Sequence, residues 1–468
     1  MDARISETLI PKVMVFHDGR LQPATVRISG GRIEEIIPEE EADPSLMLLP
    51  GVIDAHVHFR EPGLTTKADI SSESRAAAAG GVTYVLDMPN VNPTTTTPEA
   101  LAQKQALFKE KCIVNYGIWY GITADNIDQA LNDYGQPDSL HRDDICGFKV
   151  FLGSSTGGML MNDREKLKKL FANTQRVIGI HSESEDIIRK NADQYRQLFG
   201  EKEVPIEYHP KIRNAQACLE TTKLAVDLAL ETGAQLHVCH LTTQDELDYT
   251  TQVLSNPSNP SNFSNPSNSS NPSNPSNFST LSNPSNSSTP SNPTPPITLE
   301  ACVAHLWFSQ EDYKKKGALI KCNPAIKRIQ DRDALRKALT DGRIFSIATD
   351  HAPHLLSDKQ GGALRAASGM PSVQYSLLAM LELCRQGILP LSKVVELMSV
   401  NPAKRFDLTG RGEIRVGNFA DLVLVSSASQ TIVCKENILS KCGWSPFEGQ
   451  TFSHQVLGTW VNGKKVFG

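Results

Sequence analysis

The chain has no CxxC pair, no long apolar run, no excess of basic residues and no phosphate-binding glycine loop. Its nine cysteines are scattered, so a disulfide framework is not expected and a reducing compartment fits. No stretch approaches the ~18 consecutive apolar residues that a membrane span needs. The opening Met1-Asp2-Ala3-Arg4-Ile5-Ser6-Glu7 has no apolar signal core. A cytoplasmic protein with no membrane partner is the expectation. The formal net charge is -5 and the isoelectric point about 6.2, which argues against a broad nucleic-acid footprint. A small anionic substrate stays open, because local charges decide that. Gly153-Ser154-Ser155-Thr156-Gly157-Gly158 invites a phosphate-loop reading, but no Gly-Lys-Ser/Thr follows.

What is present is a chain of 468 residues, 39% hydrophobic and 21% charged, enough for one large or two ordinary domains with a sizeable core. Both ends read as short strands with turns. Val13–Phe16, Ala24–Ile28 and Arg32–Ile37 lie near the start, and Ala420–Val425 and Gln455–Val461 near the finish. They suggest one small β-sandwich built from residues 1–49 and 411–468. Between them, residues 50–410 alternate strands with helical patterns. The candidate strands are 50–58, 82–88, 113–121, 145–152, 177–181, 235–240, 298–304 and 344–349. Helical stretches include Ser72–Ala79, Glu99–Lys109, Arg164–Ala172, Ala215–Thr232 and Asp331–Thr340. Eight strands in that alternation predict an α/β fold, a (β/α)8 TIM barrel. A doubly wound open sheet is the runner-up, disfavoured because no Gly-rich nucleotide loop follows the first strand. Residues 255–296 repeat Ser, Asn and Pro almost without large apolar residues. That composition buries too little surface to offset ordering entropy, so disorder is expected. The insert falls in an αβ loop, opposite the face where barrels build active sites.

The chemistry-bearing residues gather at the C-terminal ends of these strands. In Asp54-Ala55-His56-Val57-His58-Phe59-Arg60, His56 and His58 are two apart, so a strand aims both imidazoles one way. That offers two neutral nitrogen ligands to a metal. Arg60 would continue the same face; a guanidinium cannot ligate a metal, so its role beside one is to hold an anionic substrate. Lys149 lies in the apolar strand Gly147-Phe148-Lys149-Val150-Phe151, where an amine must neutralise, pair or be modified. His181, His240 and Asp350 close three further strands. A single one of these histidines could be a satisfied core residue, but four at matching strand ends are not explained that way. His237 faces away from His240, and His305 and His351 read as supporting residues, while His209 sits in a loop. A carbamate on Lys149 would carry two oxygens and one charge. It could bridge two cations ~3.5–4 Å apart, with His56 and His58 on one, His181 and His240 on the other, and Asp350 completing the first site. Such ligation suits Zn²⁺.

Taken together, Asp54–Gly63, Met88-Pro89-Asn90, Lys149, His181, His240 and Thr349-Asp350-His351-Ala352-Pro353-His354 resemble the dihydroorotases of the amidohydrolase superfamily. The resemblance covers most of the chain outside the 255–296 insert. It implies a reversible metal-dependent cyclisation of N-carbamoyl-L-aspartate to L-dihydroorotate in pyrimidine biosynthesis. It implies two Zn²⁺ per subunit, bridged by N6-carboxylysine at Lys149 and a hydroxide, with Asp350 handling the proton. Arg60 and Asn90 would hold the substrate carboxylate, with His354 adding a contact. Asn323 would touch the ring, and Ser368 and Gly369 would supply backbone contacts. A homodimer and a substrate-covering loop near 153–158 are further implications. Some bacterial members carry an aspartate at the position of Lys149. Allantoinases, hydantoinases and dihydropyrimidinases share the ligand scheme, and Arg60, Asn90 and His354 favour dihydroorotase over them. A catalytically inactive scaffold homologue is the reading from another class; such homologues lose metal ligands, and this chain keeps them.

Overall fold

The computed structural model describes residues 7–153, 158–255 and 294–468. Residues 256–293, most of the low-complexity insert, and 154–157, the middle of the glycine-rich loop, lie outside the described residues. The calls of disorder and of a covering loop fall there.

Four strands open the chain: β1 (Glu7–His17), β2 (Arg20–Ser29), β3 (Arg32–Pro38) and β4 (Asp43–Pro50). Eight follow through the middle. They are β5 (Val52–Val57), β6 (Val82–Asp87), β7 (Asn115–Gly121), β8 (Gly147–Phe151), β9 (Ile178–His181), β10 (Leu236–Val238), β11 (Ile297–Cys302) and β12 (Ser346–Ala348). The chain ends in β13 (Leu422–Ser426), β14 (Thr431–Ile432), β15 (Thr451–Phe452), β16 (Gln455–Val461) and β17 (Lys464–Phe467). Strands β5 to β12 form one parallel sheet in sequence order. Just beyond the ends of β5 and β12, His58 N–H donates to His351 O at 2.8 Å, so the sheet curls nearly closed. All eight expected barrel strands are there.

The intervening helices start where capping chemistry places them. Asp69 accepts from Ser72 N–H before Ile70–Ala79, Thr97 from Ala100 N–H before Pro98–Lys111, and Asn214 from Ala217 N–H before Ala215–Thr232. Each satisfies an N–H that has no partner within its helix. Among the described residues, no helix is long and apolar enough to cross a membrane.

Both termini combine in a seven-stranded sheet of order β17-β16-β13-β4-β1-β2-β3. Its two faces follow the period of two. Leu48 packs with Val13, Val15, Val26, Ile28 and Leu422 on one side. Met47, Leu49, Val423 and Val425 join the main core on the other.

The chain changes sheets at Gly51, inside the apolar run Leu48–Ile53 and close to the sheet-to-barrel boundary expected between residues 49 and 50. β4 pairs antiparallel with β13 (Leu49 opposite Val423), and β5 begins the barrel one residue later. Gly51 N–H donates to Asp421 O at 2.8 Å. A Cβ on Gly51 would sit 2.2 Å from Thr83 Oγ1 and 2.3 Å from its Cγ2. Only glycine passes this closely between sheet and barrel. Gly51→Ala is expected to destabilise the fold by about 2 kcal/mol, read as a lower urea midpoint; an unchanged midpoint would contradict this account of the crossing.

Candidate metal centre

The barrel brings the expected ligands together at one end. His56 lies on β5 and His58 one residue past it; Lys149 is on β8, His181 ends β9, and His240 and Asp350 each lie two residues beyond β10 and β12. The His56 ring centroid is 5.4 Å from that of His58 and 5.2 Å from that of His240, and His240 is 4.7 Å from His181. All four histidines are at most 7% exposed and Lys149 is fully buried.

The hydrogen bonds decide which ring nitrogens face inward. His56 Nδ1 lies 3.1 Å from Glu300 Oε1, and His58 Nδ1 lies 2.7 Å from Asn90 Oδ1. Both neighbours are acceptors, so both Nδ1 atoms carry the proton. Burial, reinforced by nearby cations, lowers both imidazoles: His56 to about 4, with Lys149 next, and His58 well below its ordinary value, with Arg60 next. Neutral rings with Nδ1 protonated turn lone pairs inward at Nε2. Those two Nε2 atoms converge on Asp350 Oδ1, at 3.4 and 3.0 Å. Three acceptors facing one another call for a cation. A proton on Asp350 could serve one of the imidazoles, never both.

The second pair repeats the pattern. His181 Nε2 lies 3.0 Å from Glu183 Oε2, which fixes that nitrogen as the donor. His181 Nδ1 is thereby an acceptor, and it lies 3.0 Å from His240 Nε2. His240 Nδ1 is buried without a hydrogen-bond partner among the described residues. If His240 is protonated on Nδ1, two lone pairs meet at 3.0 Å; if on Nε2, a buried acceptor goes unpaired. A cation between the pair would take the two lone pairs of the first arrangement, leaving His240 Nδ1–H without a partner among the described residues. His56, His58 and Asp350 also satisfy the spacing of a ligand group on their own. The donor set therefore fits divalent metal on both sides of the cluster.

Among the described residues, Lys149 Nζ lies 3.1 Å from Cys239 Sγ and over the Phe151 ring. No carboxylate pairs with it among the described residues. That isolation suits an amine that is modified.

Three residues of the site adopt left-handed backbone conformations: Arg60 (φ 67°), His240 (φ 39°) and Asp350 (φ 49°). Such conformations cost of order 1–3 kcal/mol each and cluster where function over-determines geometry. For Arg60 this corrects the sequence reading. It does not continue the strand face of His56 and His58, because β5 ends at Val57 and the chain turns. Its Nε donates to Pro353 O at 3.1 Å and its Nη2 lies 3.1 Å from His354 Nε2.

The remaining expected residues divide. His354 adjoins Arg60, and Asn323 Oδ1 is buried with no partner among the described residues, free to serve a ring. Asn90 turns its carbonyl oxygen to His58, an arrangement compatible with its amide nitrogen being the group that would donate to a substrate carboxylate. Gly369 already makes backbone hydrogen bonds within the protein. Its N–H donates to Lys321 O at 2.8 Å and its carbonyl accepts from Lys359 at 2.7 Å. What it supplies is room: a Cβ there would meet His354 Cδ2 at 3.0 Å. The carbonyl of the preceding Ser368 faces the His354 ring.

Sequence reasoning missed the carboxylates behind the ligands. Glu300 Oε1 accepts from His56 Nδ1 and from the His240 N–H at 3.0 Å, and Oε2 from His237 Nε2 at 3.1 Å. Burial alone would raise its carboxyl, but the hydrogen bonds from His237 and His56 outweigh that and hold it far below the usual range. Glu183 pairs with Arg213 as well as His181. There too burial raises, and Arg213 followed by His181 prevails, taking the carboxyl to about 2. Glu300 could have been found by the signal that found Lys149: a lone charge inside the apolar strand Ile297–Cys302. Carboxylates that orient ligating histidines are worth 10–100-fold in metal affinity or activity. Glu300→Gln is therefore expected to lower bound metal and activity roughly 10–100-fold while leaving the circular dichroism spectrum unchanged. Full metal occupancy in this variant would contradict the role.

A model of the amidohydrolase family matches residues 47–466. Among curated relatives, a dihydroorotase of Methanosarcina mazei is 32% identical over 456 residues, covering 94% of this chain and 90% of its own. An allantoinase of Bacillus velezensis is 27% identical and covers 98% and 94%. Among solved structures, the L-hydantoinase (dihydropyrimidinase) of Arthrobacter aurescens superposes with a TM-score of 0.82 at 22% identity, covering 98% of this chain and 95% of that one; at that identity the likeness shows the fold. Family match, fold and ligand geometry agree: the chain belongs to the amidohydrolase family.

Proposed function

We propose that the protein is a dihydroorotase, interconverting N-carbamoyl-L-aspartate and L-dihydroorotate in pyrimidine biosynthesis. The observation that carries this reading is the position of Arg60. It is buried, it forms no ion pair with a carboxylate among the described residues, and it lies two residues from His58. A buried guanidinium at the rim of a hydrolytic centre asks for an anionic group on the substrate. Allantoin and hydantoin rings carry no carboxylate, so they leave that demand unmet. The complete ligand set speaks against an inactive scaffold.

His56, His58 and Asp350 would hold one metal, His181 and His240 the other, with a carboxylated Lys149 between them; Zn²⁺ suits this donor set. When bound, the ions supply Lewis acidity and lower the pKa of water. The chain does the rest. Arg60 and His354 hold the substrate carboxylate, and Asn323 Oδ1 accepts from a ring N–H. Asn90 keeps His58 in the required tautomer. Asp350 takes a proton from the attacking water and delivers it to the leaving ring nitrogen in hydrolysis. In cyclisation the same carboxyl starts protonated. The enzyme is read as cytoplasmic, in keeping with nine free cysteines, as acting on a small molecule rather than nucleic acid, and as a homodimer.

Ring opening of dihydroorotate, assayed beside allantoin and hydantoin, tests the substrate assignment; turnover of only the neutral rings would overturn it. Metal near two per chain that falls in Lys149→Ala would support the bridge. Asp350→Asn is expected to lower both directions by about 10²–10⁴-fold with much of the metal retained. Because Asp350 must be protonated to begin cyclisation and ionised to begin hydrolysis, lowering the pH favours cyclisation and raising it favours hydrolysis. A pH–rate profile with the opposite sign would exclude Asp350 as the proton carrier.

A further inference from the structure

We propose that Lys67 is a specificity-determining residue: from the loop that follows Arg60 it sets a second cation on His354, making the pocket one for a ring that carries a carboxylate. This rests on the reading of the site given above.

The loop turns back on itself at once. Leu64 N–H donates to Arg60 O and Lys67 N–H to Leu64 O, both at 3.0 Å. That return brings Lys67 Nζ to 3.2 Å from His354 Nδ1, while Arg60 Nη2 lies 3.1 Å from His354 Nε2. An ammonium and a guanidinium only donate. A neutral imidazole accepts at one nitrogen, so one of these donors faces an N–H. Burial, followed by Arg60 and Lys67, holds His354 down to about 2, so a charged ring, which accepts at neither nitrogen, is disfavoured here. The Ser368 carbonyl also faces the ring and can accept from its N–H, which leaves the cation on that side without an acceptor; a carboxylate, with its several lone pairs, can accept from Arg60 and Lys67 together.

No protein carboxylate fills this place among the described residues. The nearest to the ring is Asp358 Oδ2, 3.9 Å from His354 Nδ1, and Asp358 already accepts from Leu355 N–H. Lys359, the other cation nearby, is satisfied differently: its Nζ donates to the carbonyls of Lys321, Ala367 and Gly369 at 3.1, 2.7 and 2.7 Å. Among the described residues Lys67 Nζ hydrogen-bonds the imidazole and no carbonyl or carboxylate; Asp358 acts on it only through its field. Its side chain is half-buried rather than sealed, so it can shift toward an entering anion.

The test compares wild type with Lys67→Met, which keeps the aliphatic stem, and Lys67→Arg, which keeps the charge. KM and kcat for dihydroorotate are measured with the Ki of orotate, an anion bearing the same carboxylate. The expected result is a roughly tenfold rise in both KM and Ki in Lys67→Met, kcat within about threefold, and return toward wild type in Lys67→Arg. Unchanged KM and Ki, a loss confined to kcat, or an arginine variant as impaired as the methionine one would overturn the assignment while leaving the dihydroorotase reading intact. Wild-type enzyme that turns over neutral rings but not dihydroorotate would overturn both.

Discussion

Glu300 carries its charge at the centre of a barrel with no ammonium or guanidinium paired to it among the described residues. It is stabilised by N–H groups alone: His56 Nδ1, His237 Nε2 and the backbone of His240. A buried carboxylate so surrounded must stay ionised and must keep its donors. The consequence for His56 is a fixed tautomer, with Nδ1 outward and the Nε2 lone pair toward Asp350. The consequence for His240 is a backbone pinned where φ is positive. One charge thus sets a side chain of one proposed metal site and the main chain of the other. Asn90 and Glu183 do the same for His58 and His181 one at a time.

The same logic accounts for backbone strain. Each of the three left-handed residues is held from outside. Asp350 follows Thr349, whose N–H and hydroxyl both donate to Asp54, at 3.1 and 2.6 Å. His240 is tied by Glu300, and Arg60 by the Leu64 N–H and by Pro353 O. Asp54 lies on β5 and Thr349 just past β12, so the bond that steadies Asp350 also spans the closing seam of the barrel. Burial raises the Asp54 carboxyl to about 7 despite those donors, the cost of placing a carboxylate there. Site geometry and barrel closure therefore depend on the same side chain.

Much of this was legible in the sequence, for a local reason. A strand has a period of two, so His56 and His58 announce a shared direction; a lysine in Gly147–Phe151 announces a buried amine. Strand positions followed from apolar runs and turns. Partners distant along the chain were not legible. Glu300 stands 244 residues from His56, and nothing local to either names the other. The turn at Arg60 was missed because period-two reasoning holds only while the strand continues, and β5 stops at Val57.

The site divides into two regions of opposite need. Around Asp350 the protein presents acceptors, and around His354 it presents donors. Five consecutive residues, His56 to Arg60, join them: the first and third give lone pairs to the acceptor side, and the fifth gives a guanidinium to the donor side. The proposed substrate, with a carboxylate at one end and a hydrolysable amide at the other, would match both regions at once, and its amide would be placed because its carboxylate is held. Orientation of that kind contributes to rate only if the two regions keep their separation, since displacements near 1 Å cost about a hundredfold. Here the separation is a property of one short stretch of chain, anchored by β5 on one side and by the Arg60 turn on the other. That is a physical reason for Arg60 to sit in a strained conformation rather than on a longer strand: continuing the strand would carry the guanidinium along the axis of β5, whereas the turn directs it across to Pro353 and His354, beside the metal ligands.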